Sequence, residues 1–303
     1  MPMKNLKIAL DWTANTNHTG FFVAKDKGYY EKLGLHVELL TPDTDDYSTT
    51  PAKKVELGQA DLALCPFESI VSFRTKATPF DAVAIATIFR EDISAIATLS
   101  DGDLKSPKDL DGKTYASYQA RYEDEIVRHM IKNDGGRGDF KIVYPKKLGI
   151  WETIVNKKFD ATWIFSNWEG VQAKNQGIEL NLFKMAVYGI PYGYSPVILA
   201  SKSGVKADKE TYAKFLEATK KGFLFAQQDP EAAVAYIEPF VSEQDRNIDL
   251  LESQQFTAPF YGNAENWGIL EKEKVDAYLN WLNDAKLESE KLAFDTLVFG
   301  GLI

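Results

Sequence analysis

Aromatic and hydrogen-bonding side chains are concentrated in a few short segments of this 303-residue chain. Flat rings beside a single carboxylate suit a planar heteroaromatic ligand, because the rings stack on it while the carboxylate accepts hydrogen bonds from its ring NH or amino groups. The candidate ligand-binding residues are Trp12, Asn15, Asn17, His18, Glu68, Tyr118, Trp163, Trp168, Glu169, Tyr192 and Tyr194.

These candidates divide into two roles. The six aromatic residues are expected to supply stacking faces, and the amides, the imidazole and the two carboxylates are expected to orient the ligand. Three alternatives stay open. Asn15 and Asn17 could only cap the next helix while Trp12 packs in the core. Glu169 could only be a first-turn acid favoured by the helix dipole, and the acids at 123–125, after Tyr118, could do no more than stabilise a helix start.

Sequence signatures of catalysis are missing from the chain. We find no Gly-x-Ser-x-Gly elbow, no Walker loop, no His-Glu-x-x-His and no strand-linked Gly-x-Gly-x-x-Gly. Cys65 is the only cysteine and reads as a small buried residue, and the three histidines are widely spaced. We therefore predict a binding protein without cofactor or zinc site, although a cation held by carboxylates alone stays possible.

Composition narrows the class of partner. Lys and Arg total 35 against 44 for Asp and Glu, a formal net charge of -9. Such a chain is repelled by nucleic acids and anionic membranes. No apolar run reaches the length of a membrane span, and residues 1–7 carry no apolar signal core. We expect a monomer that binds a small molecule, working inside the cell unless a leader has been removed.

Strands and helices alternate along the chain, which predicts an α/β fold with mostly parallel sheets. The strand candidates are residues 6–12, 35–40, 61–65, 82–88, 113–117, 141–144, 161–165 and 197–200. Helices are predicted between them, including one over residues 150–156, and the chain after residue 200 is chiefly helical. The pattern restarts after Leu99, so we predict one lobe from residues 1–98 and 197–303 and a second from 99–196. Two crossings would form a hinge with a ligand cleft between the lobes.

Several motifs resemble one known family. They are residues 9–20 (ALDWTANTNHTG), 27–30 (KGYY), 58–61 (GQAD), 110–113 (LDGK) and 163–170 (WIFSNWEG). Together they resemble the thiamine-pyrimidine branch of the type-II periplasmic-binding-protein fold, and most closely the formylaminopyrimidine-binding receptors of thiamine-precursor uptake. The resemblance is collinear over essentially the whole chain.

The resemblance implies a two-lobe receptor that binds an aminopyrimidine for an ABC permease. The same family contains the yeast-type thiamine pyrimidine synthase, whose pyridoxal-phosphate lysine and nearby histidine would fall at Cys65 and Ser69. Neither residue can do that chemistry. The synthase's cysteine-rich iron motif would fall near residues 192–195, where this chain has no cysteine. A synthase-like enzyme, or an intracellular sensor of the same fold, remains the alternative.

Overall fold

A computed structural model describes residues 3–145 and 154–303. Within these ranges the strands are β1 Lys4–Ala9, β2 Leu35–Leu40, β3 Leu62–Cys65, β4 Ala82–Thr87, β5 Ser94–Leu99, β6 Thr114–Ala116, β7 Lys141–Val143, β8 Ala161–Phe165, β9 Leu180–Phe183 and β10 Val197–Ser201. Most of the predicted helix at 150–156 lies outside the described residues.

The α-helices of the described residues are α1 Thr19–Asp26, α2 Tyr29–Lys32, α3 Pro51–Glu56, α4 Phe67–Thr75, α5 Glu123–Asn133, α6 Glu169–Asn175, α7 Lys202–Ala207, α8 Lys209–Gln228, α9 Pro230–Ile237, α10 Leu250–Thr257, α11 Lys272–Asp284 and α12 Phe294–Leu297. Short 3-10 helices cover Pro42–Asp45, Pro107–Leu110, Met185–Tyr188, Glu238–Phe240, Glu243–Asp245 and Ala258–Tyr261. In the described part of the chain, no helix has the length and apolar character that a membrane span requires.

The chain forms two compact units. The first contains Met1–Asp92, Gly193–Leu279 and Glu290–Ile303, and the second contains Ile93–Tyr192 and Asn280–Ser289. The second unit includes residues 93–98 and 280–289, which the predicted lobes place in the first lobe, and the first unit includes residues 193–196, which they place in the second. Strand β5 pairs with β8 and β9 of the second unit, so the chain passes into that unit before the strand begins.

The first unit contains a five-stranded sheet in the order β2-β1-β3-β10-β4. Strand β1 is parallel to β2 and β3, whereas β10 is antiparallel to both of its neighbours. Four strands therefore run in one direction and β10 runs against them. Every residue of β4 is buried, which agrees with its unbroken apolar sequence.

The second unit repeats this arrangement in the order β7-β6-β8-β5-β9. Strand β6 is parallel to β7 and β8, and β5 is antiparallel to β8 and β9. The α/β class is confirmed, but each sheet is mixed. In each unit the reversed strand is the one that directly follows a passage of the chain from the other unit, so no crossover helix within the same unit precedes it.

Aromatic residues of α8 pack against α1 and α2 in the first unit. Phe215 stacks on Tyr30 with ring centroids 5.5 Å apart, and Phe223 meets the edge of Phe21 at 5.2 Å. Helix α1 approaches α8 so closely that a methyl group at Gly222 would overlap the carbonyl oxygen of Gly20. The loop before α1 is therefore attached to a tightly packed helix pair.

Candidate functional site

Strand directions bring the candidates of the first unit to one edge of its sheet. The parallel strands β1 and β3 end at this edge, just before Asp11 and at Cys65. Strand β10 begins there, because its first residue Val197 pairs with Cys65. The loop after β1, the start of α4 and the segment before β10 are thus neighbours, in agreement with the rule that ligands bind beyond the carboxyl ends of parallel strands.

In the loop after β1, the side chains of His18 and Asn15 form hydrogen bonds within the loop itself. The Nε2 atom of the fully buried His18 lies 2.7 Å from Asp11 Oδ1, and its Nδ1 accepts from the backbone N–H of Asn15 at 3.4 Å. Asn15 Oδ1 accepts from Asn17 N at 2.8 Å, and Asn15 Nδ2 donates to Thr13 O at 3.0 Å. Asn15 therefore forms a local turn and not the helix cap weighed as an alternative. Both ring nitrogens of His18 are engaged.

A buried hydroxyl network ties the same loop to the C-terminal part of the first unit. Thr16 Oγ1 lies 2.8 Å from Ser253 Oγ and 3.0 Å from Thr257 Oγ1, and Thr19 donates to Gln254 Oε1 at 2.6 Å. The hydroxyl of Tyr261 donates to the carbonyl oxygen of Thr16. Satisfied buried networks hold one conformation. These partners could not be predicted from the sequence, because they lie more than 230 residues away along the chain.

Glu68 and Tyr194 lie at the other side of this edge. Glu68 is buried in the first turn of α4, where Tyr278 Oη donates to its Oε2 at 3.3 Å. The carbonyl of Tyr194 accepts from Phe67 N at 3.0 Å, and its hydroxyl accepts from Glu271 N at 3.0 Å. Tyr194 is therefore held both at its backbone carbonyl and at its hydroxyl.

Cys65 is an inert thiol in this setting. Burial strongly raises its pKa, and the charges of Asp11 and Glu68 add to the rise. The thiol is thus protonated at neutral pH and is a poor nucleophile. The sequence predicts a small buried residue at this position, and the burial is confirmed.

Strand directions also bring the candidates of the second unit to one edge. The parallel neighbours β6 and β8 end there, and β5 begins there because Ser94 pairs with Phe165. Ser166 N donates to Ile93 O at 3.0 Å, which fixes the turn after β8 against the incoming chain.

Within residues 3–145 and 154–303, two buried polar atoms of the turn after β8 have no hydrogen-bond partner. They are Ser166 Oγ and Trp168 Nε1, and the whole Trp168 side chain is almost completely buried at 2 % exposure. Glu169 starts α6, and its Oε2 accepts from Phe165 N at 3.0 Å. A buried indole N–H without an acceptor costs about 1–3 kcal/mol. An acceptor placed at this turn would satisfy the indole N–H.

Aromatic rings lie close to this turn. Trp163 meets the edge of Tyr192, with ring centroids 5.2 Å apart. Tyr118 exposes 40 % of its surface, yet its hydroxyl is desolvated. That desolvation raises the pKa of the phenol, and the charges of Glu169 and Glu123 raise it further, so both carboxylates lie within electrostatic range of Tyr118.

The carboxylate of Glu123 organises the loop after β6. It accepts from Tyr115 Oη at 2.7 Å, Tyr118 N at 3.0 Å and Ala120 N at 3.2 Å. Burial raises the pKa of Glu123, and these three hydrogen bonds oppose the rise. Glu123 does more than stabilise a helix start, since it closes the loop that carries Tyr118.

Donor sets for a metal are not assembled in the chain as far as it is described. No group of three or more His, Cys, Asp or Glu side chains in residues 3–145 and 154–303 could hold an ion. Each strand edge, taken by itself, carries aromatic rings and carboxylates, a chemistry that suits a small polar aromatic molecule.

The fold is that of the periplasmic binding proteins. The alkanesulfonate-binding protein from Xanthomonas axonopodis pv. citri superposes with a TM-score of 0.74 at 12% identity, covering 99% of each chain. The chain belongs to the NMT1/THI5-like family, whose model matches residues 15–233.

Two relatives bear directly on function. The formylaminopyrimidine-binding protein of Halalkalibacterium halodurans is 26% identical over 290 residues, which cover 93% of this chain and 85% of the relative. A 4-amino-5-hydroxymethyl-2-methylpyrimidine phosphate synthase of Saccharomyces cerevisiae is 22% identical over 296 residues, covering 92% and 83% respectively. The family thus contains both binding proteins and enzymes.

Proposed function

We propose that this protein is a solute-binding protein that captures a thiamine-precursor aminopyrimidine for ABC-type uptake. The observation that carries the proposal is the turn after β8. There the Ser166 hydroxyl and the Trp168 indole N–H, which have no partner within the described residues, precede the carboxylate of Glu169. Trp163 belongs to β8 itself, and Glu169 lies within electrostatic range of the Tyr118 phenol. Donors and a carboxylate beside aromatic faces match an aminopyrimidine, which has ring acceptors, an amino donor and a planar face.

Glu169 is proposed to accept a hydrogen bond from the amino group of the ligand. Trp163, Tyr118 and Tyr192 are proposed to contact its ring. In the first unit we propose the same role for Trp12, with Glu68, Asn17 and Tyr194 near the ligand. Asn15 and His18 are proposed to hold the loop after β1 and not to touch the ligand, because their polar atoms already bond within that loop.

A synthase activity is the second candidate, since synthases are among the relatives. We propose that this chain is not an enzyme of that type. Cys65, where the resemblance predicts a cofactor lysine, is buried and protonated. Treatment with pyridoxal phosphate and borohydride is expected to give no stable lysine adduct by mass spectrometry. A labelled lysine would contradict this expectation.

Calorimetric titration tests the binding proposal. The probes are formylaminopyrimidine, 4-amino-5-hydroxymethyl-2-methylpyrimidine, thiamine and pyridoxal phosphate. We expect one of the two pyrimidines to bind most tightly. Glu169→Gln should weaken it by about tenfold to a hundredfold, because a hydrogen bond to a charged group contributes about 1.5–3 kcal/mol.

Glu217→Gln is the matched control. Glu217 is an exposed acid on α8 that pairs with Lys221. Its substitution removes the same charge from an element that contains no candidate residue. Unchanged affinity of Glu169→Gln would remove Glu169 from the site. Failure of every pyrimidine to bind the native protein would refute the proposed function.

A further inference from the structure

The loop after β6 occupies a position at which α/β folds often bind anions. It follows a parallel strand and leads into the eleven-residue helix α5. Backbone N–H groups at such a position commonly bind phosphate or sulfonate groups. The relevant donors in this chain are the N–H groups of Tyr118, Gln119 and Ala120.

All three donors are occupied by side chains of the protein itself. Glu123 accepts from Tyr118 N at 3.0 Å through Oε1 and from Ala120 N at 3.2 Å through Oε2. Ser117 Oγ accepts from Gln119 N at 3.0 Å. Glu123 is 2 % exposed, so its carboxylate lies inside the loop and not in solvent.

The surrounding charges also disfavour an anion. Asp124 and Glu125 follow Glu123 in the first turn of α5. Arg121 pairs with the buried Glu288 and lies over the ring of Tyr122 at 5.0 Å. Arg128 pairs with Glu125 and donates to the carbonyl of Gly138.

The loop also lies next to the turn proposed to bind the ligand. Strands β6 and β8 are parallel neighbours, with Ala116 paired to Thr162, and Thr162 Oγ1 donates to Ala116 O at 2.8 Å. A ligand group that extends from β8 toward β6 would therefore meet the loop that Glu123 closes.

We infer that Glu123 is a specificity-determining residue whose carboxylate fills the anion position after β6, so that the site accepts an unphosphorylated pyrimidine and rejects its phosphate ester. The inference rests on the proposed function for the pyrimidine itself. It adds that the ligand carries no phosphate group. This distinguishes the protein from a relative that is named for a phosphorylated pyrimidine.

Two probes test the inference by calorimetry: 4-amino-5-hydroxymethyl-2-methylpyrimidine and its phosphate. The native protein should bind the first about tenfold or more tightly than the second. Glu123→Ala vacates the N–H groups of Tyr118 and Ala120 and should reduce this preference about tenfold or reverse it. Glu123→Gln keeps one acceptor and guards against a variant that fails to fold.

Glu125→Ala and Glu125→Gln are the matched controls, since they remove the same charge from the same helical turn but do not free the loop donors. Equal preferences in the Glu123 and Glu125 variants would overturn the inference, as would tight binding of the phosphate by the native protein.

Inorganic phosphate gives a readout that does not depend on the pyrimidine. It should raise the melting temperature of Glu123→Ala or Glu123→Gln relative to the native protein and to both Glu125 variants. If neither pyrimidine binds the native protein, the proposed function fails while this readout still decides the inference. No gain in stability with phosphate in either Glu123 variant would then overturn it.

Discussion

Tyr261→Phe tests whether the loop after β1 is held in place by the C-terminal part of the first unit. The hydroxyl of Tyr261 donates to the carbonyl oxygen of Thr16, and Gln254 Nε2 donates to that hydroxyl at 3.3 Å. Burial raises the pKa of Tyr261 far above its ordinary value, so the phenol is protonated and remains a donor at any assay pH near neutrality.

The expected loss follows from the partners. Phenylalanine keeps the ring contacts with Phe223 and Phe89, whose centroids lie 4.9 Å and 5.8 Å from that of Tyr261, so little packing is lost. Gln254 Nε2 keeps its bond to Ala226 O at 3.3 Å. The remaining cost is the loss of the Tyr261 hydrogen bond to the buried Thr16 carbonyl, which Thr19 Oγ1 also approaches at 3.4 Å, and this cost is about 0.5–1.5 kcal/mol.

Denaturant unfolding measures this free energy, and amide hydrogen exchange measures where it acts. Exchange at residues 15–18 should accelerate more than exchange in the strands of the same sheet, because the substitution frees the loop. Tyr29→Phe is the control, since no hydrogen bond of the Tyr29 hydroxyl is found within the described residues. If the two variants unfold with free energies within about 0.5 kcal/mol of each other, the hydroxyl does not hold the loop.

Three further predictions concern the packing of Gly222, the reactivity of Cys65 and the indole N–H of Trp168. Gly222→Ala should destabilise the protein by about 1–3 kcal/mol in thermal or denaturant unfolding, because its methyl group would overlap the carbonyl oxygen of Gly20; an unchanged stability would show that α1 and α8 can separate freely. Cys65 should not react with a disulfide reagent such as DTNB until the protein is unfolded, since burial raises the pKa of its thiol; rapid modification of the folded protein would contradict this. The indole N–H of Trp168, assigned in ¹⁵N spectra by Trp168→Phe, should shift downfield when a pyrimidine saturates the site, whereas the equally buried and unpartnered indole of Trp267 should not move.

Local sequence signals identified most elements of the fold. The Thr50–Pro51 pair predicts the start of α3, and Thr50 Oγ1 accepts from Lys53 N there. The missed strands are β5 and β9. Both are recognisable only from pairing, because β5 lies between β8 and β9, which follow it by more than sixty residues. Such distant pairing cannot be deduced from alternation within one segment.

The sequence indicated where polar and aromatic residues gather, but not which of them bond to each other. Asn15 and His18 look like ligand contacts in a list of residue types. Their partners, Asn17 and Asp11, lie in the same short loop and became evident only from the backbone conformation. The role of Glu123 depends likewise on how the loop after β6 folds back on α5.

The two interpretations of Glu169 are compatible. It begins α6 and accepts from Phe165 N, as expected of a first-turn acid. A carboxylate has two oxygens and about four lone-pair sites, so one bond to the backbone does not exhaust its capacity. Glutamine at this position retains an acceptor for Phe165 but loses the charge and part of the acceptor capacity. If the Glu169→Gln protein is stable but binds the pyrimidine more weakly, the side chain both stabilises the start of α6 and contacts the ligand. If stability and affinity fall equally, Glu169 only stabilises the start of α6.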